Sequence, residues 1–73
     1  MSETPLKMYD LVRVENHDYE FRGTVQCIWR KRNGNVRFVI EDDRGVCLIQ
    51  SLRNLVLIIR ETGEEYPCRD LIS

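Results

Sequence analysis

Apolar and polar residues alternate with a period of two over most of this chain, and the alternation stops at residues that favour turns. Between Phe21 and Gln50 the pattern predicts a meander of three antiparallel strands, Phe21–Arg32, Val36–Asp42 and Val46–Gln50. In the first of these, Phe21, Gly23, Val25, Cys27 and Trp29 share one parity and are expected to face a core. Arg22, Thr24, Gln26, Ile28 and Arg30 share the other and face mostly solvent. Val36, Phe38 and Ile40 alternate in the same way with Arg37, Val39 and Glu41. A preceding strand is predicted over Met8–Val14, with Val12 and Val14 on one face and Leu11 and Arg13 on the other. The last predicted strand, Leu55–Ile59, is apolar on both parities, so both of its faces should be covered.

The punctuation between these runs is specific. Asn33-Gly34 suits a two-residue type I′ hairpin, because both residues tolerate positive φ. Asp43-Arg44-Gly45 suits a type I turn closed by a left-handed glycine, giving a three-residue hairpin with a bulge. Gly23, inside a strand, marks a bulge or a sharp bend. Ser51-Leu52-Arg53-Asn54 is too short for an α-helix and reads as one 3₁₀ turn. Residues 1–7 read as a loose arm, residues 8–60 as the folded unit and residues 61–73 as a tail. The tail turns at Thr62-Gly63 and breaks at Pro67, and its Tyr66, Leu71 and Ile72 can cover the last strand or sit at an interface.

Composition narrows the classes. A chain of 73 residues is one domain, and at this size only about 60% of the unfolded surface is buried. With 42% hydrophobic and 32% charged residues it reads as a folded globule rather than a disordered segment. No apolar run approaches the ~20 residues of a membrane helix, and the Met1-Ser2-Glu3-Thr4-Pro5 start does not read as a secretion signal. A net charge of −1 argues against a dedicated duplex-DNA binder but leaves room for a local basic patch. Cys27, Cys47 and Cys68 are odd in number and widely spaced, which points to a reducing, cytoplasmic setting rather than a disulfide framework.

The element order predicts an all-β, five-stranded, SH3-like antiparallel small barrel with one 3₁₀ turn before the last strand. Tyr9-Asp10-Leu11-Val12-Arg13-Val14 resembles the G-D-x-V-R-V opening of many bacterial barrels of this kind, with tyrosine in place of glycine. The segment from Arg32 to Gly45 is similar to the R-S-G-x-V-R-Y-V-V-E-D-x-R-G core of small phage and proteobacterial proteins. That resemblance spans about residues 9–59 and implies fold rather than activity. The outline also resembles the plasmid-borne type II dihydrofolate reductases, tetramers whose fourth strand carries Val-Gln-Ile-Tyr. The corresponding stretch here is Cys47-Leu48-Ile49-Gln50, with leucine where the family has its glutamine and glutamine where it has its tyrosine, which removes the groups that would hold folate and nicotinamide.

Candidate chemistry concentrates at the first hairpin. Arg30, Lys31, Arg32 and Arg37 meet across the Asn33-Gly34 turn, with Trp29 close by, and such a tip can hold phosphates and stack a base. The competing reading is a charged edge that blocks aggregation. Glu41-Asp42-Asp43, at the other turn, can act as acid and base or hold Mg²⁺, but aspartates there more commonly cap their own backbone. The cysteines and His17 lack metal-ligand spacing, and nothing ties His17 to a nucleophile. If the tail leaves Val56 and Ile58 uncovered, the last strand would drive a homodimer or higher oligomer. The expectation is a cytoplasmic, non-enzymatic binding module without cofactor or metal. Its partner is nucleic acid or protein, with the oligomeric reductase as the enzymatic alternative.

Overall fold

In a computed structural model, residues 5–15 and 18–71 are described. They form six strands: β1 (Leu11–Val14), β2 (Phe21–Arg30), β3 (Val36–Glu41), β4 (Cys47–Ser51), β5 (Leu55–Ile58) and β6 (Glu65–Pro67). One 3₁₀ turn, Leu52–Asn54, joins β4 to β5, and a second, Cys68–Asp70, follows β6. The fold is all-β, and every strand pair is antiparallel in a single sheet of order β4-β3-β2-β1-β5-β6. The count of five strands is therefore corrected to six. The tail supplies the extra strand by folding back on β5 through a turn with Ile59 N–H donating to Glu64 O at 2.9 Å.

The sheet is curled, and the β4–β5 connection shows why it must be. These strands are four places apart in the sheet order, a separation of about 19 Å if the sheet were flat. The turn that joins them has three residues, which at about 2 Å of rise per residue cannot span that gap. Gly23 lies against the end of β3. A Cβ built there would lie 2.3 Å from the Glu41 carbonyl oxygen, so only glycine lets β2 and the end of β3 approach this closely.

Inside the curl lie Val12, Val14, Phe21, Val25, Phe38, Ile40 and Leu55, joined by Leu6 and Cys68. Each such side chain contributes about 1.5–3 kcal/mol on burial. Leu6 is 2% exposed, so packing begins within the segment expected to be a loose arm. The chain then turns before β1. Tyr9 takes a left-handed φ of 70°, donates its N–H to Val25 O at 2.8 Å and accepts Arg60 Nη2 at 2.6 Å.

Both faces of β5 are covered. Leu55 and Leu57 pair with Val14 and Val12 on the core side. On the other side, Val56 pairs with Arg13 and Pro67, and Ile58 with Glu65. The 2.7 Å ion pair between Arg13 of β1 and Glu65 of β6 thus bridges across β5 above these two aliphatic residues. Val56 is 1% and Ile58 7% exposed, so neither side chain is presented for an interface.

Candidate nucleic-acid interface

The sequence alternation of β2 breaks at one residue. Val25 pairs with Ile40 but Cys27 pairs with Val39, which leaves Gln26 as an extra residue in a β-bulge. Beyond it the parity inverts. Ile28 turns inward and packs on the core, while Cys27 and Trp29 point out. The expected core parity of Cys27 and Trp29 is thereby corrected. The run Cys27-Ile28-Trp29 is apolar at every position, so alternation could not register the shift; Ile28 on the solvent parity was the available signal.

The hairpin tip also differs from expectation. Gly34 N–H donates to Lys31 O at 2.9 Å and Lys31 N–H to Asn35 O at 2.7 Å, enclosing a three-residue loop, Arg32-Asn33-Gly34. Gly34 takes φ 90°, whereas Tyr9 is the one non-glycine residue with positive φ among the described residues. Asn33 therefore does not adopt the left-handed conformation of a type I′ turn. Its side-chain Oδ1 instead accepts the Asn35 N–H at 3.0 Å.

Trp29 and Arg37 stand opposite each other in the β2–β3 register, on the outer face. Arg30 pairs with Val36, which packs against the core, and stays exposed on the face opposite Trp29, while Lys31 and Arg32 sit at the apex. The cations therefore wrap the tip rather than share one face. The Arg30 and Arg37 guanidinium groups donate to backbone carbonyls, of Gly34 at 3.4 Å and Val36 at 3.2 Å. Among the described residues, Arg13, Arg22, Arg44 and Arg69 are ion-paired, whereas Arg30, Lys31, Arg32 and Arg37 have no carboxylate within bridging distance. Sequence order causes this: Phe21 to Ile40 contains five basic residues (Arg22, Arg30, Lys31, Arg32, Arg37) and no acidic one.

The opposite end of β3 is acidic and internally satisfied. Gly45 N–H donates to Asp42 O at 3.1 Å and Gly45 takes φ 84°, forming the bulged three-residue hairpin that Asp43-Arg44-Gly45 predicts. Asp42 accepts the N–H groups of Arg44 and Val46 at 2.9 and 2.8 Å, and the Arg44 guanidinium at 2.8 Å. It caps its own turn. Desolvation pushes its carboxyl up, but the hydrogen bonds from Val46 and Arg44 outweigh it and hold the pKa below the usual 3.8.

Neither of two thiols is poised as a nucleophile. Burial drives Cys68 up to about 11, and desolvation with the nearby Glu41 carboxylate raises Cys47. Among the described residues no three His, Cys, Asp or Glu side chains gather to hold a metal, and His17 lies outside those residues. No helix among them is long and apolar enough to cross a membrane. Comparison with protein-family models, curated proteins and solved structures finds no match for this chain.

Proposed function

We propose that this protein is an SH3-like small barrel acting as a non-enzymatic, cytoplasmic binding module that contacts single-stranded nucleic acid through the β2–β3 hairpin. The strand order, the tight curl and the 3₁₀ turn before β5 support the barrel reading. One observation carries the functional reading: an exposed indole lies beside an arginine, at a tip whose four cations lack carboxylate partners among the described residues. An unpaired base stacks on Trp29 while Arg37 and the apex cations hold the flanking phosphates. Cations already neutralised by neighbouring carboxylates would have little to gain from phosphate. These are not.

The direct test replaces Arg30, Lys31, Arg32 and Arg37 together with glutamine. Amide NMR spectra are then recorded with single- and double-stranded oligonucleotides at low and physiological salt. The native protein shifts over Arg30–Arg37, more strongly with the single strand, and the shifts weaken as salt rises. The variant keeps its dispersed spectrum, because these side chains lie outside the core, and loses the response. Unchanged binding by the variant would remove the tip as the site.

A further inference from the structure

The two edges of the sheet are built differently. β6 has three residues, Glu65-Tyr66-Pro67, and carries a proline and an ion-paired glutamate, features that blunt an edge. β4 has five, Cys47-Leu48-Ile49-Gln50-Ser51, without charge or proline, and its pairing with β3 is uninterrupted by a bulge. Ile49, at its centre, is 57% exposed, the most exposed aliphatic side chain among the described residues.

The backbone of β4 is also set to pair. Asp42 N–H donates to Val46 O at 3.0 Å, which fixes the hydrogen-bonding phase of the β3–β4 ladder. Alternation from that pair turns the N–H and C=O groups of Leu48 and Gln50 toward β3, and those of Cys47, Ile49 and Ser51 away from the sheet. On the outer face, Cys27, Val39 and Ile49 stand in one cross-strand row, an apolar stripe that runs to this edge.

We infer that β4 pairs antiparallel with β4 of a second copy, with Ile49 on the two-fold axis. This register opposes Cys47 to Ser51 of the other copy and overlaps all five residues of each strand. Every outward-facing backbone group then meets an outward-facing group, giving about six interchain hydrogen bonds. The two apolar stripes join into one, Cys27-Val39-Ile49 and its symmetry mate, and Ile49 covers Ile49. Charge favours the same orientation. Arg37 and Arg53, at the Ser51 end of β4, come alongside the Glu41–Asp43 end of the other copy, where a parallel arrangement would oppose like ends. A second copy is thus the occupant that satisfies backbone, apolar row and charge together. The inference rests on the β4 edge and is tested without nucleic acid, and the pairing draws Arg37 toward the carboxylates of the second copy.

Sedimentation equilibrium over a concentration series reaching the millimolar range tests it, together with amide hydrogen exchange at its two extremes. The expected result is a monomer–dimer equilibrium, with the Cys47 and Ile49 amides protected at least tenfold more at high concentration. Ile49→Lys removes the dimer and leaves the dispersed spectrum of the fold, and Ile49→Thr, which keeps the β-branch, weakens the dimer without unfolding risk. A monomer at every concentration would overturn the inference. So would a dimer insensitive to both substitutions, or one protected at Tyr66 instead.

Discussion

Asp42 shows how one side chain can read as a site and serve as a strut. Its carboxylate is 5% exposed and turned back on Arg44 and Val46, with its acceptor capacity spent on the turn. Because its folded pKa lies below 3.8, the stability it contributes is fully present above that value. It is lost as pH falls through the lowered folded value. Asp42→Ala should lower the urea midpoint at neutral pH, and its midpoint should fall less than that of the native protein on acidification. Chemical denaturation at a series of pH values checks both. Trp29 makes the opposite point. Its identity is plain in the sequence, but its direction is set three residues upstream.

At the scale of elements, that direction depends on Gln26. Deleting Gln26 would remove the bulge and keep the register, with Cys27 following Val25 directly opposite Val39, so Ile28 stays inward and Cys27 and Trp29 stay outward. The variant should still fold cooperatively, with Trp29 on the outer face. Urea denaturation checks the fold, and a blue shift of Trp29 emission in the folded variant would contradict the assignment of Gln26 as the bulge residue. Much of the strand pattern was legible because Val12/Val14 and Phe38/Ile40 alternate cleanly between turn-forming Asn, Asp and Gly residues. The bulge was hidden because Cys27-Ile28-Trp29 offers no polar residue to mark parity. Leu6 was missed because one apolar residue in a polar stretch carries no period. β6 was missed because Pro67 argues against a strand everywhere except at a sheet edge, where it is found.

Across the whole molecule, a net charge of −1 conceals a division along β3. Cations without carboxylate partners among the described residues crowd one end, and Glu41, Asp42 and Asp43 the other, about one strand length apart. The sequence gives the charges and their order, but whether each cation is compensated depends on pairs such as Arg13–Glu65, formed between residues 52 positions apart. Such pairs follow only from the curled sheet and the returning tail. Among the described residues Lys7, Arg53 and Arg60 also lack an ion pair, but only at the β2–β3 tip do four such cations cluster beside an exposed indole.

Trp29 is the only tryptophan in the chain, so its fluorescence reports on the proposed site alone. The decisive measurement is a titration of that emission with single-stranded oligonucleotide at several salt concentrations. Stacking should quench Trp29, and the logarithm of the binding constant should fall against that of salt with a slope of about −3, from four cations each releasing ~0.7 counterions on a single strand. Emission that stays unchanged at low salt, or quenching that does not depend on salt, would contradict the account.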